Sequence, residues 1–147
     1  MHSGIQLQVV QGDDGDGFLS YQLRLSTEET ATSLVFWGYA DEFQVFAESL
    51  TSFPQNSASR VCYQVGNDKD QRDDFLRLEV FCYEPTGAAA ICICCRKGQN
   101  APDYERHEFS ICTLPADLNQ LGRLLAGWNP LTDSPLNWHA SHQPEIL

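Results

Sequence analysis

Basic residues are scarce in this chain. Nine Lys and Arg stand against 20 Asp and Glu in 147 residues, a formal net charge of −11. A field of that sign repels phosphate backbones and anionic lipid surfaces. Nucleic acid and membrane are therefore excluded as expected partners, and a basic protein is favoured. Long apolar runs are missing too: no stretch approaches the roughly 18–20 apolar residues that a membrane span needs. The opening residues, Met1-His2-Ser3-Gly4-Ile5-Gln6, hold no basic segment leading into an apolar one. No secretory signal is read there, and the expected location is cytoplasmic. The chain also lacks a Walker loop, a G-x-G-x-x-G turn and a G-x-S-x-G elbow, so nothing in it announces a nucleotide cradle or an activated serine.

What is present suits a folded domain. Apolar residues make up 42%, and three Trp, five Tyr and eight Phe are too many for a disordered acidic tail. The length fits one domain, read as residues 1–129, with 130–147 as a C-terminal tail in which Leu136 to His139 add a short edge strand. No repeat is visible at a period of about 20–50 residues.

Alternation carries most of the secondary-structure signal. Ile5, Leu7 and Val9 alternate with glutamines, the Gly12–Gly17 stretch reads as a turn, and Leu19, Tyr21, Leu23 and Leu25 alternate with polar residues. The first two strands are an expected hairpin. Leu34 to Tyr39 is apolar on both parities and predicts a third strand covered on both faces. Asp41 is placed to cap a helix, with Phe43, Phe46, Ala47, Leu50 and Phe53 on one face and Pro54 as its stop. Strands are then expected at Arg60–Gly66, Phe75–Glu84, Ala88–Lys97 and Glu105–Leu114, the last three joined by turn-sized loops. Pro115 suits the first turn of a second helix, Asp117 meets its positive end, and Leu118, Leu121, Leu125 and Trp128 form its apolar stripe. The order β-β-β-α-β-β-β-β-α predicts an α+β fold: a mostly antiparallel sheet of six to seven strands with two amphipathic helices packed on it.

Candidate chemistry is thin. Cys62, Cys82, Cys92, Cys94, Cys95 and Cys112 all sit in strand-like segments, and no export signal places them in an oxidising compartment. They read as reduced thiols filling space between sheet and helix. Cys92, Cys94 and Cys112 share a parity on neighbouring strands, but the C-x-x-C spacing of structural zinc sites is missing. His107 and Cys112 fall on opposite faces of one strand, so they do not form a thiol–imidazole pair. His139 and His142 have H-x-x-H spacing in a proline-rich setting that opposes a helix. Asp13-Asp14-Gly15-Asp16-Gly17 has the carboxylate density of a calcium loop without its distal Glu or flanking helices. No catalytic residue, metal or cofactor is read from the sequence. The acidic residues gather in loops, and in a meander Asp13, Asp14, Asp16, Asp68, Asp70, Asp73 and Asp74 are expected to form an acidic binding rim at one end of the sheet.

Phe36-Trp37-Gly38-Tyr39-Ala40-Asp41-Glu42-Phe43 with Leu50-Thr51-Ser52-Phe53-Pro54, Leu78-Glu79-Val80-Phe81-Cys82-Tyr83, and Glu108-Phe109-Ser110-Ile111 followed by Leu121-Gly122-Arg123-Leu124-Leu125 resemble segments of small uncharacterised bacterial proteins. Those proteins are similar in size and layout to immunity proteins of polymorphic and contact-dependent toxin systems. The resemblance implies a shared fold and supplies no functional residues. The expected function is that of a non-enzymatic, cytoplasmic, acidic protein–protein interaction module, an immunity protein that neutralises a basic toxin. The second reading is a structural or adaptor protein that self-associates as a homodimer through apolar sheet surface. The third is a thiol, metal or carboxylate-based enzyme.

Overall fold

The computed structural model describes residues 3–12, 15–69, 74–133 and 135–141. Eight strands and two helices follow one another as β1 (Gly4–Gln11), β2 (Phe18–Ser26), β3 (Ala31–Tyr39), α1 (Gln44–Thr51), β4 (Arg60–Val65), β5 (Phe75–Cys82), β6 (Ala89–Lys97), β7 (Glu105–Thr113), α2 (Pro115–Gly127) and β8 (Leu136–His139). The fold is α+β, as the periodicities predict. The single sheet of six to seven strands is corrected to two antiparallel sheets of four, ordered β3-β2-β1-β8 and β4-β5-β6-β7. The reason is chain routing. After α1 the chain does not return to the first sheet: β4 starts the second, and β8 crosses back to pair with β1. Alternation shows which face of a strand is dry and says nothing about which strand lies beside it.

The two halves repeat one another. In the first sheet Val9, Tyr21 and Phe36 stand in one cross-strand row, and Leu7, Leu23 and Leu34 in the next. In the second sheet the matching rows are Val80, Ile91 and Ile111, then Leu78, Ile93 and Phe109. The helices continue the match: Phe43, Phe46, Ala47 and Leu50 of α1 take the places of Leu118, Leu121, Gly122 and Leu125 of α2. In each unit the strand after the helix pairs with the first strand of the other unit, β4 with β5 and β8 with β1. The unit is thus a three-stranded meander, a helix and an exchanged strand. It occupies about half of the chain, longer than the short repeat periods that linear arrays display.

One apolar core joins both sheets and both helices. Leu7, Leu23, Leu78, Ile91, Leu118, Leu121 and Trp138 are all buried in it. The helix stripe expected at Leu118, Leu121 and Leu125 is buried, and Trp128 packs half-buried beside it. Each exchanged strand is tied to the helix of its own unit by an aromatic side chain. The Tyr63 hydroxyl donates to Glu42 Oε2 at 2.9 Å, and Trp138 Nε1 donates to the Asp117 carbonyl at 2.9 Å. Burial works against the Asp117 charge, but hydrogen bonds from Ser141 and Thr113 outweigh it and hold that carboxyl below its ordinary value. Asp41 does not cap α1. Residues 40–43 form turns, the helix begins after Phe43, and no side chain caps it.

Asn119 closes the other end of α1. Its Nδ2 donates to the Leu50 carbonyl at 2.8 Å and the Phe53 carbonyl at 2.7 Å. The Leu50 carbonyl is among those that a helix C-terminus leaves without an intrahelical donor, and Phe53 lies just beyond that end. Asn119→Ala is expected to lower unfolding free energy by about 1–3 kcal/mol, because it strands part-buried acceptors rather than removing a matched pair. Urea unfolding monitored by circular dichroism reads this directly, and a loss under about 0.5 kcal/mol would place these carbonyls in contact with water.

Candidate functional site

The acidic positions singled out in the sequence divide between the two sheets. Asp16 lies in the turn before β2, exposed, with its Oδ1 accepting from the Phe18 amide at 3.0 Å. Asp68 and Asp74 lie in the β4–β5 connection of the second sheet. Asp68 Oδ1 pairs with Arg106 Nη1 at 3.3 Å and Arg96 Nε at 3.6 Å, and Asp74 Oδ1 accepts from the Gly98 amide at 3.1 Å. Asp13, Asp14, Asp70 and Asp73 lie outside the described residues.

Charge is unevenly distributed along the duplicated chain. Residues 1–59 hold eight acidic residues and one basic residue, Arg24; residues 60–147 hold twelve and eight. The Lys and Arg ion pairs between described residues all fall on the second sheet and its connections. They are Arg60–Glu79, Arg96–Asp68, Lys97–Glu105, Arg106–Asp68 and Arg106–Glu108. The second sheet therefore neutralises much of its own charge, and residues 1–59 have almost no base with which to do so.

The cysteines are free thiols, but their placement differs from the core packing expected of them. Only Cys95 is buried. Cys62 and Cys112 are exposed, and Cys82, Cys92 and Cys94 are half-buried. Alternation explains the difference: Ile91, Ile93 and Cys95 take the core face of β6, so Cys92 and Cys94 face outward, with Cys112 on the same side of β7. None of the three stands directly opposite another. Cys92 faces Ser110, Cys94 faces Glu108, and Cys112 faces Ala90. Burial pushes the Cys94 and Cys95 thiols up, away from the reactive thiolate. Among the described residues no three His, Cys, Asp or Glu side chains converge on a metal position.

An open trough of about 940 Å³ lies between the two sheets, lined by Glu28, Glu29, Phe109, Cys112, His139 and Ser141 among others. His107 and Cys112 do lie on opposite faces of β7, as their spacing predicts. It is β8, a strand rather than a metal-binding helix, that carries His139 into the trough. His142 lies outside the described residues. Tyr83 is held above the ordinary phenol value by partial desolvation and by the Cys112 thiol hydrogen-bonded to it.

The third strand is not covered on both faces. It ends its sheet, and its burial alternates: Leu34 and Phe36 point into the core, while Val35, Trp37 and Tyr39 are 50%, 47% and 56% exposed. Phe18 of β2 stacks on Trp37 at 5.5 Å between ring centroids and leans on Tyr39 at 4.9 Å. This aromatic surface was legible as a parity, because Val35, Trp37 and Tyr39 share one. The strand's position at the sheet edge was not.

Fold and surface together define a duplicated α+β protein of two four-stranded antiparallel sheets, acidic, with an open aromatic face on its first sheet. The chain matches no protein-family model, no curated protein and no solved structure. Among the described residues no helix is long and apolar enough to cross a membrane.

Proposed function

We propose that this chain is a non-enzymatic binding protein that captures a basic protein partner, and that it acts as an immunity protein by covering the functional surface of a basic toxin. The observation that carries this reading is the charge segregation. Eight carboxylates share residues 1–59 with a single base, while four of the eight bases in residues 60–147, Arg60, Arg96, Lys97 and Arg106, are engaged with carboxylates of the second sheet and its connections. Fields of this kind act over about 8–10 Å at physiological salt, speed encounter with a surface of opposite sign and penalise acidic competitors. A nuclease toxin, which must present a basic cleft to bind phosphates, is a partner with the matching sign.

The test uses the purified product of the gene adjacent to this one. The expected result is a stable complex that suppresses the toxicity of that product, with an association rate that falls steeply as salt rises. A neighbouring product that is acidic, or one that is basic and toxic but neither binds nor is suppressed, overturns the immunity reading. A complex whose association rate ignores salt overturns the electrostatic basis of the proposal.

A further inference from the structure

The geometry points to the free edge of β3 as the docking site. We infer that an extended, arginine-bearing segment of the partner adds there as a fifth strand of the first sheet, its guanidinium groups lying over Trp37 and Tyr39. This inference rests on the reading of the partner as basic and adds where, and through what chemistry, it is held.

Three observations converge on this surface. The first is the edge itself: β3 is the terminal strand of the order β3-β2-β1-β8, so among the described residues no strand lies beside one row of its backbone donors and acceptors. Such a row is a template for strand addition, with alternate side chains supplying specificity. The second comes from the duplication. Phe18, Val35, Trp37 and Tyr39 occupy the places that Ala88, Ser110, Cys112 and Leu114 occupy in the second unit. The same backbone therefore folds without aromatic rings at these positions, and the aromatic face of β3 is not something the architecture demands. The third is the treatment of guanidinium groups. On the second sheet the chain covers its own ring, with Arg60 lying 4.6 Å from the centroid of Phe81. Every such contact between described residues belongs to the second sheet. Among the described residues no Lys or Arg lies over the Phe18, Trp37 or Tyr39 ring.

The surrounding charge selects the occupant. Asp16 precedes Phe18 by two residues, Asp41 follows Tyr39 by two, and Glu28 and Glu29 precede the start of β3; all four are exposed. The one Lys or Arg of residues 1–59, Arg24, stands opposite Ser33, toward the far end of the strand. A second copy of the chain would bring this acidic border against its own like charges. A basic strand meets carboxylates at both ends and aromatic faces between them, where Arg stacks more favourably than Lys. Aromatic anchors of this kind dominate binding energy in protein interfaces.

The probe is a short labelled peptide alternating arginine and threonine, with Lys-for-Arg and Glu-for-Arg versions, measured by fluorescence anisotropy and by amide hydrogen exchange. The arginine peptide is expected to bind in a salt-sensitive manner, tighter than the lysine peptide, and the glutamate peptide is expected not to bind. Exchange should slow along Ser33–Tyr39 and stay unchanged along β7. Trp37→Thr should weaken binding by roughly five- to tenfold, Trp37→Phe should retain most of it, and Leu114→Thr, at the place in the second unit that matches Tyr39, should do nothing. Tyr39→Thr provides an independent check should Trp37→Thr alter thermal unfolding. If binding is salt-sensitive but indifferent to Trp37 and Tyr39, or if protection appears elsewhere, the surface is wrong and the basic-partner reading stands. If the glutamate peptide binds as well as the arginine one, the charge reading fails with it. Concentration-dependent dimerisation that protects β3 without peptide and disappears in Trp37→Thr gives the face to a second copy and overturns the inference.

Discussion

Replacing Gly122 with leucine should leave the protein largely unfolded. The two helices meet at this residue. A Cβ built on Gly122 would stand 2.8 Å from the Ala47 carbonyl oxygen, 2.8 Å from the Thr51 amide nitrogen and 2.9 Å from Leu50 Cβ. Two of those three atoms are backbone of α1, and backbone held in a helix cannot step aside as the end of a flexible side chain can. Glycine inside a helix costs about 1 kcal/mol relative to alanine, so its presence in α2 calls for a packing reason. The duplication supplies one. The equivalent place in α1 is Ala47, fully buried, and the helices approach closely because both units put their smallest residue at the crossing. Gly122→Ala should lower stability by about 1–3 kcal/mol despite its better helix propensity, and Gly122→Leu by more, against the 5–15 kcal/mol that holds a typical domain together. Gly127, at the end of α2, has nothing within 4 Å of its built Cβ, and Gly127→Ala is the control expected to be neutral or mildly stabilising. Urea midpoints for the three variants decide the matter; a Gly122→Ala protein more stable than the parent would mean the crossing has room to spare.

The same crossing shows how far the sequence could be read. The apolar stripes of both helices are visible at 3.6-residue spacing, and β1 to β7 are each visible as alternation or as an apolar run, with β8 expected only as a short edge strand. Those signals are local, set by which side of one element meets water. The duplication was hidden because the halves share hydrophobic class rather than residue identity: Phe36 matches Ile111, Leu34 matches Phe109, Phe46 matches Leu121. The division into two sheets was hidden because it depends on where β4 and β8 are sent, and a short strand such as Leu136–His139 carries no mark of its partner. The candidate surface followed the same rule. Trp37 and Tyr39 were evident as aromatics but looked like core, since no local signal shows that the outer face of the first sheet is left uncovered. The cysteines erred in the opposite sense. Free thiols are usually buried, yet the branched residues Ile91 and Ile93 fill the core side of β6 and leave Cys92 and Cys94 on the outside.

The second large effect is expected in alkali. Two of the five tyrosines, Tyr21 and Tyr63, should ionise only as the protein unfolds. Tyr21 is fully buried, its ring edge-on to Phe43 at 5.2 Å and its hydroxyl donating to the Tyr39 carbonyl at 2.6 Å. Burial, reinforced by Glu42 and Asp41, pushes it up to about 12 from an ordinary 10.0. Tyr63 is held higher still, first by burial between Phe43 and Phe46 and then by Glu42, which accepts its hydroxyl proton in a hydrogen bond. In both cases the folded state favours the neutral phenol. The stabilisation is therefore complete below pH 10, where unfolded tyrosine begins to ionise, and is lost as pH rises through the folded values. For Tyr21 that loss amounts to roughly 2–3 kcal/mol between pH 10 and 12, and Tyr63 adds to it over the same range and beyond. Urea midpoints should fall steeply across this window. Phenolate absorbance should show two of the five groups appearing together with the loss of near-ultraviolet circular dichroism. Tyr63→Phe removes the Glu42 partner and should cost about 1 kcal/mol at neutral pH, while reducing the alkaline slope. Its effect reaches beyond a single ring, because Tyr63 is the anchor by which β4, in the second sheet, is tied to the start of α1. Complete and reversible ionisation of all five tyrosines in a protein that keeps its tertiary spectrum would show that both hydroxyls reach water, and that the exchanged strand is held by backbone pairing to β5 alone.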